Sequence, residues 1–384
     1  MPEDGTRADL LVVGAGPAGL ATAACLRRRG VGVLVVDRGT AVGDSWRARY
    51  DRLHLHTPRV QSALPGLRIP RRFGRWVAKD DVADYLRLYA DHHGIRPRFG
   101  VSVQRLERDG DGWKAETDGA ALQARQVVLA SGYNREPLLP SWPGVDSFSG
   151  TVLHASAYAG PAPFRDKRVL VVGAGNTGAE IAADLAESGA ADVRLAVRTP
   201  PNVIPRQIGP IPTTLLGITL DYSPAWLTDP LNRLLQRRFV GDLTRYGLPA
   251  PRQGVVAQMR ATGVTPTIDV GLVRELQAGR VTPVPALIRL DGDAAVLADG
   301  SRLRPDAVIA ATGYSTALEP VVGHLGVLDA RGRPVVRGRR TAPGAPGLRF
   351  VGLSNPLKGL LLQISIDARA AAAAAARELN GRRR

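Results

Sequence analysis

An apolar run, a glycine-rich turn and a second apolar run open the chain in the order strand, helix, strand. The run Leu10–Gly14 has the length and composition of a buried parallel strand. Leu20–Arg29 has helical spacing, and Val31–Val36 is the next apolar run, with Asp37 at its end. This order predicts a βαβ unit.

The turn of this unit carries Gly14, Gly16 and Gly19 at the spacing GxGxxG. The first glycine allows a tight turn, the second lets the backbone approach a pyrophosphate, and the third lets helix and strand pack closely. The helix then points free N–H groups at the phosphates. Asp37 can accept hydrogen bonds from ribose hydroxyls, so this unit is predicted to bind FAD.

The same pattern returns in the middle of the chain, where Val169–Ala179 repeats Leu10–Leu20. The second unit continues with a predicted helix, Ala179–Ser188, and a predicted strand, Val193–Val197. Its turn contains Gly173, Gly175, Asn176, Thr177 and Gly178.

The two units differ at the end of their second strand, where Arg198 stands in place of Asp37. An acid at this position suits a free ribose 2′-hydroxyl, whereas an arginine accommodates a 2′-phosphate. The second unit is therefore predicted to bind NADPH in preference to NADH. The alternative is that Arg198 is one more surface arginine in an arginine-rich chain.

Two further apolar runs, Gln126–Tyr133 and Ala307–Tyr314, are similar to each other and flank the second unit. They predict an α/β fold of two Rossmann-like dinucleotide-binding domains, with the NADPH domain inserted in the FAD domain. The predicted FAD domain comprises residues 1–158 and 314–384. The predicted NADPH domain comprises residues 159–313, with a helical insertion at about 205–260.

Composition narrows the class of protein. The 384 residues carry a net charge of +16, mostly from scattered arginines, and include one cysteine, Cys25. A single thiol excludes a disulfide framework and a multi-thiolate metal site, so no metal is predicted. No signal sequence or membrane-spanning stretch is recognisable, and the sequence predicts a soluble, cytoplasmic protein without a nucleic-acid motif.

One predicted helix combines apolar and basic residues. Its apolar face is formed by Leu227, Leu231, Leu234, Leu235 and Phe239, with arginines beside it. A lid over the active site is the favoured interpretation, and peripheral contact with a membrane surface stays open, as does a homo-oligomer. Stable insertion in a membrane is not predicted.

The chain resembles the class B flavin-containing monooxygenases, and among them the YUCCA-type enzymes of plants. Motifs that carry the resemblance are Phe148-x-Gly150-x3-His154-x3-Tyr158, the run Gly173–Glu180, Trp46 with Tyr50–Leu53, Gly241–Arg245, and Thr265–Gly271. The resemblance implies FAD and NADPH as cofactors and cofactor contacts at Trp46, Asn176 and Thr177. It also implies a C4a-peroxyflavin that transfers one atom of O2 to a small-molecule substrate.

The resemblance further points to His56 as a candidate catalytic residue. His56 occupies a position where N- and S-oxygenating relatives tend to carry Asn and YUCCA-type enzymes carry His; the alternative is a core histidine without a catalytic role. His56 favours oxidative decarboxylation of an aromatic 2-oxo acid. N- or S-oxygenation, Baeyer–Villiger oxidation and NADPH:acceptor flavin reduction stay open.

Overall fold

The computed structural model describes residues 7–220 and 223–381. Two large β-sheets, each covered by helices, and several small ones make up an α/β fold. The strands are β1 (Arg7–Val13), β2 (Val33–Val36), β3 (Val103–Asp109), β4 (Gly112–Thr117), β5 (Leu122–Leu129), β6 (Glu136–Pro137), β7 (Thr151–His154), β8 (Arg168–Val172), β9 (Asp192–Val197), β10 (Val203–Pro205), β11 (Gln207–Ile208), β12 (Ile211–Pro212), β13 (Thr267–Asp269), β14 (Val281–Pro285), β15 (Leu287–Asp291), β16 (Ala294–Leu297), β17 (Arg302–Leu303), β18 (Ala307–Ala310), β19 (Tyr314–Ser315) and β20 (Leu348–Phe350).

The helices cover the faces of these sheets, and three of them form the helical insertion between β12 and β13, which we call the excursion. They are α1 (Pro17–Arg27), α2 (Asp44–Arg47), α3 (Arg59–Ser62), α4 (Lys79–His92), α5 (Asn176–Glu187), α6 (Thr213–Leu220), α7 (Ala225–Phe239), α8 (Val255–Thr262), α9 (Leu272–Gln277), α10 (Glu319–Val322) and α11 (Leu360–Gly381).

The first sheet has the strand order β2-β1-β5-β4-β3, with β20 also paired to β5. Strand β1 lies parallel to both β2 and β5, with Leu10 opposite Val33 and Gln126. Strands β3 and β4 form a hairpin and lie antiparallel to each other. Helices α1 and α11 pack in one core through small side chains such as Ala21, Ala368 and Ala372, which let the two helices approach closely.

The second sheet is all parallel, in the order β14-β9-β8-β18-β7. Its central strands β9-β8-β18 repeat the arrangement β2-β1-β5 of the first sheet, and α5 takes the place of α1. Strands β1 and β8, at the centre of the two repeats, are apolar and buried on both faces, as parallel strands are when helices cover them. The internal sequence repeat is therefore also a structural repeat.

The chain crosses between the two sheets at β6 and returns at β19, and these two short strands pair antiparallel. The predicted first boundary, after residue 158, does not follow the sheets, because β7 pairs with β18 in the second sheet. We therefore propose an earlier crossing, near residue 136. The predicted second boundary, at 313–314, coincides with β19 and stays part of the same proposal.

The excursion predicted at about 205–260 contains α6, α7 and α8. Strands β10 and β13 close its base, pairing in parallel with Val203 opposite Thr267. The last helix, α11, begins at Leu360. Over residues 7–220 and 223–381, no helix combines the length and apolar character needed to cross a membrane.

Candidate active site

A cavity of about 1010 Å³ is lined by both glycine-rich turns. Most of the residues predicted to form the site contribute to its wall: Gly14, Gly16, Asp37, Trp46, His56, Gly175, Asn176 and Thr177. The other predicted residues, Gly19, Gly173, Gly178 and Arg198, are not among its lining residues. The structure thus brings the two sequence motifs together around one space.

The outer glycines of the turns are required by packing. A Cβ atom on Gly19 would overlap the carbonyl oxygen of Gly14, and one on Gly178 would overlap that of Gly173. Gly14 has φ +111°, which L side chains rarely adopt. Gly19 and Gly178 therefore serve the close approach of helix and strand, and Gly14 serves the tight turn.

The middle glycines behave differently, because a Cβ atom on Gly16 or Gly175 would meet no protein atom within 4 Å. Each of these residues precedes a helix, α1 or α5, whose N-terminus receives no side-chain cap. Uncapped N–H groups and the positive end of the helix dipole suit a phosphate. Both turns therefore fit a dinucleotide pyrophosphate.

Asp37 lies at the end of β2 and holds the first turn in place. Its carboxylate accepts hydrogen bonds from the backbone N–H of Ala15 at 2.6 Å and of Gly39 at 2.7 Å. These two donors orient the carboxylate at the cavity wall, where it can also accept from a ribose hydroxyl.

Asn176 ties the second turn to the excursion between β12 and β13. Its side-chain amide donates to the carbonyl of Pro266 at 3.1 Å and accepts from the N–H of Ile268 at 2.8 Å. The hydroxyl of Thr267 donates to the carbonyl of Ala174 at 2.8 Å. The segment Thr265–Ile268 is thereby fixed against the N-terminus of α5, a structural role in addition to the predicted contact with a cofactor.

Arg198 follows β9 directly and is exposed. Among the residues that the structure describes, it forms no ion pair. Arg194, which lies on β9 itself, instead pairs with Asp192 at 2.7 Å. Arg198 therefore offers an uncompensated guanidinium at the rim of the second unit.

His56 lines the cavity and contacts a buried carboxylate that was not predicted as a site residue. Its Nε2 atom is hydrogen-bonded to Oε1 of Glu180, on α5. Glu180 is 2% exposed, and the hydroxyl of Tyr50 donates to its Oε2 at 2.6 Å. The repeat contained a signal for this acid, because Glu180 stands where the first unit has Ala21.

His154 occupies the end of β7, and both of its ring nitrogens are engaged. Nδ1 is bonded to the Ser156 hydroxyl at 2.9 Å and Nε2 to the Gly313 carbonyl at 3.1 Å. Burial lowers the pKa of His154 below its ordinary value. His154 therefore ties the end of β7 to the segment that leads into β19.

Positive charge surrounds the cavity. Arg38, Arg49, Arg135 and Arg333 line it, and none of them forms an ion pair with a residue in 7–220 or 223–381. Burial lowers the pKa of the Arg135 guanidinium, and the charge of Arg38 lowers it further. Such a wall favours anions, including phosphates and carboxylates.

Helix α7 covers the cavity with one face only. Asn232, Leu235 and Gln236 line the cavity, in agreement with a lid. Its other apolar residues are exposed: Trp226, Leu227, Leu231, Leu234 and Phe239. Contact of this outer face with a membrane surface stays a prediction.

The chain is similar to known oxidoreductases over most of its length. Residues 11–206 match the family model described as pyridine nucleotide-disulphide oxidoreductase. A probable indole-3-pyruvate monooxygenase of the YUCCA group from Arabidopsis thaliana is 36% identical over 93% of this chain and 86% of the relative. An indole-3-pyruvate monooxygenase of the same group from Oryza sativa subsp. japonica is 35% identical over 91% and 87%.

A solved structure supports the same relationship. A flavin-containing monooxygenase from Stenotrophomonas maltophilia superimposes with a TM-score of 0.73 at 25% identity, covering 98% of this chain and 99% of the other. Redox-active cysteine pairs cannot operate within this chain, because Cys25 is its single cysteine and lies buried in α1. Within the described parts of the chain, no cluster of three His, Cys, Asp or Glu side chains could hold a metal ion.

Proposed function

The chain belongs to the class B flavin-containing monooxygenases, in the branch of the YUCCA-type enzymes, and on this premise we propose that it decarboxylates an aromatic 2-oxo acid oxidatively. It is a flavin-dependent monooxygenase. We place FAD at the turn of α1 and NADPH at the turn of α5, in two Rossmann-like domains of which the second is inserted in the first. When bound, these cofactors supply the reducing equivalents and the activation of O2.

In the proposed reaction, the 2-oxo acid, O2, NADPH and one proton give the shortened carboxylic acid, CO2, water and NADP⁺. One oxygen atom enters the new carboxyl group and the other leaves as water. The bond that breaks joins the carbonyl carbon to the carboxylate. Nucleophilic oxygenation of a carbonyl needs a proton acceptor in the site, whereas oxygenation of an amine or sulfide needs an electrophilic, protonated oxidant.

The observation that carries the proposal is the position of His56 in the cavity wall, with Nε2 on Glu180 and no described partner for Nδ1. A ring nitrogen without a protein partner can accept a proton from the site. The arginines of the cavity add a second support, because a 2-oxo acid is an anion. His56, Trp46 and the residues of the two turns are accordingly proposed as site residues.

The experiment supplies the purified enzyme with NADPH, ¹⁸O2 and either indole-3-pyruvate or phenylpyruvate. We expect the shortened acid with one ¹⁸O atom and with one NADPH consumed for each acid formed. A tertiary amine and a thioether serve as comparison substrates and are expected to react poorly.

Other outcomes would overturn the proposal in distinct ways. Inert 2-oxo acids with an oxygenated amine or thioether would replace carbonyl oxygenation by N- or S-oxygenation. A lactone or ester from a ketone would indicate Baeyer–Villiger oxidation. NADPH oxidation without any oxygenated product, but with reduction of a quinone, would indicate an acceptor reductase.

A further inference from the structure

A buried polar cluster joins the two units beside the cavity. Glu180, on α5, is 2% exposed and is contacted from the first unit by Tyr50, which is 6% exposed, and by His56. Each carboxylate oxygen thus has one partner. Such a cluster needs every polar group satisfied, because an unpaired charge at this depth would be strongly destabilising.

The direction of the hydrogen bonds follows from Tyr50. Burial, and then the charge of Glu180, raise the pKa of Tyr50 well above its ordinary value. The phenol therefore keeps its proton and donates it to Oε2. Glu180 also attracts the guanidinium of Arg206, whose pKa burial nevertheless lowers to about 10. The hydrogen bond donated by Tyr50 and the nearby positive charge of Arg206 suit a carboxylate that only accepts hydrogen bonds.

The accepting carboxylate of Glu180 fixes the tautomer of His56. Because Oε1 is an acceptor, the neutral imidazole must carry its proton on Nε2. Nδ1 then bears the lone pair, and it has no partner among the described residues although the side chain lines the cavity. The neighbouring His54 has the opposite arrangement, since its Nδ1 is bonded to the Arg52 carbonyl at 2.8 Å.

We propose that Glu180 is a positioning residue that keeps the Nε2 proton on His56 and leaves Nδ1 as a proton acceptor facing the cavity. When His56 takes up a proton, the carboxylate stabilises the imidazolium without leaving its place. This assignment rests on the proposed function, in which His56 faces the substrate. Because Glu180 lies on α5, the helix proposed to bind NADPH at its N-terminus would also help to control the protonation of His56.

The chain provides a matched control one helical turn further along α5. Asp184 is 9% exposed and accepts a hydrogen bond from the Tyr158 hydroxyl at 2.7 Å. Its charged partner is Arg52, at 3.7 Å, and not a histidine. Replacing Asp184 by Asn therefore removes a similar buried carboxylate beside a tyrosine. It leaves the surroundings of His56 intact.

The experiment measures the imidazole ¹⁵N chemical shifts of the flavin-loaded protein labelled at its six histidines. His56→Gln assigns the His56 signal. In the unsubstituted protein at a pH where His56 is neutral, we expect the Nε2–H tautomer for His56 and the Nδ1–H tautomer for His54. In Glu180→Gln, the amide can donate to Nε2 while its oxygen accepts from Tyr50, so the proton of His56 should move to Nδ1.

Turnover provides the second readout. With the best 2-oxo acid, Glu180→Gln should lower kcat by about 100-fold or more, as loss of a proton acceptor does, and change the KM for NADPH by about two-fold or less. Asp184→Asn should leave the His56 tautomer unchanged and lower kcat by less than about ten-fold. Tyr50→Phe, which keeps the carboxylate, should also retain the Nε2–H tautomer.

Several results would overturn the positioning role. An Nδ1–H tautomer of His56 in the unsubstituted protein would do so without any variant, even if Glu180→Gln fails to fold. An unchanged tautomer in folded Glu180→Gln, or an equal change in Asp184→Asn, would reduce Glu180 to a structural acid. If the tautomer changes as expected while every 2-oxo acid stays inert, the positioning role stands and the proposed substrate falls.

Discussion

The two glycine-rich turns are built alike but end in opposite charges. In both, the third glycine packs against the carbonyl of the first, and the middle glycine has open space in front of it. The first unit ends in Asp37, anchored by the N–H groups of Ala15 and Gly39. The second ends in Arg198, which is exposed and forms no ion pair with a described residue.

The comparison distinguishes the residues that the fold requires from the residue that selects the cofactor. The outer glycines serve the contact of helix with strand in both units, so they carry no information about the ligand. The residue after the second strand lies outside that contact and can change its charge without disturbing the packing. The assignment of FAD to one turn and NADPH to the other therefore depends on a single pair of positions.

The largest effects on cofactor binding, without a packing defect, are expected from substitutions of the middle glycines. Gly16→Val should leave the protein folded, because φ is −77° and no protein atom lies within 4 Å of the new Cβ. It should nevertheless lose most of its flavin, since the side chain occupies the approach of the pyrophosphate. Gly175→Val should stay yellow and raise the KM for NADPH. The measurements are flavin absorbance per protein and steady-state kinetics.

A third variant shows what a packing defect looks like. Gly19→Ala forces a Cβ onto the carbonyl of Gly14, and overpacking of this kind costs about 1–3 kcal/mol or more. Its thermal stability should fall. Full flavin occupancy in Gly16→Val would refute the placement of FAD at the first turn. Loss of flavin from Gly175→Val, but not from Gly16→Val, would reverse the assignment of the two cofactors to the two turns.

A smaller effect is expected from Arg198→Ala. A guanidinium can bind the 2′-phosphate with two hydrogen bonds, so its removal should raise the KM for NADPH about ten-fold or more, equivalent to about 1.4 kcal/mol, and leave NADH nearly unchanged. Arg194→Ala is the matched control, because Arg194 lies on the preceding strand, β9, but pairs with Asp192. An equal rise in the KM for NADPH and for NADH would show that Arg198 has a structural role and that another residue binds the 2′-phosphate.

The internal repeat made much of the fold predictable, because both βαβ patterns depend on local periodicity and on glycine spacing. The helices begin earlier than predicted, at Pro17 and Asn176, since their first turns consist of small residues without apolar periodicity. The pairing of β7 with β18 escaped prediction for another reason. Four residues, Thr151–His154, carry no local sign of a partner that lies so far along the chain.

The candidate site was predictable where one repeat could be compared with the other, and at Trp46 and His56 from the family resemblance. Gly16 and Gly175 were found because they recur, whereas Glu180 was missed because its meaning depends on Tyr50 and His56, which come from a distant segment. The departure of Glu180 from Ala21 in an otherwise matching buried helix was nevertheless visible in the sequence. A polar residue that replaces an apolar one between two repeats is therefore a useful sign of a site.

The smallest expected effect concerns the opposite end of the two sheets, where an ion pair recurs with its charges exchanged. Asp9 on β1 pairs with Arg125 on β5 at 3.4 Å, and Arg168 on β8 pairs with Asp306, before β18, at 2.7 Å. In the second unit, the backbone N–H of Arg168 also donates to Asp306 at 2.8 Å. The side chain of Arg168, followed by that N–H, lowers the pKa of Asp306 to about 2.

Asp306→Asn should therefore destabilise the protein slightly at pH 7, by about 2 °C or less in melting temperature, because exposed ion pairs contribute little. A carboxyl whose pKa is lowered on folding adds stability above its ordinary pKa and loses that contribution as the pH falls towards the folded value. The difference between Asp306→Asn and the unsubstituted protein should thus be full above about pH 5 and shrink below pH 4. Asp9→Asn, which removes the longer contact with Arg125, should have a smaller effect. A difference for Asp306→Asn that persists unchanged down to pH 3 would show that the lost backbone hydrogen bond, and not the charge, distinguishes the two sheet ends.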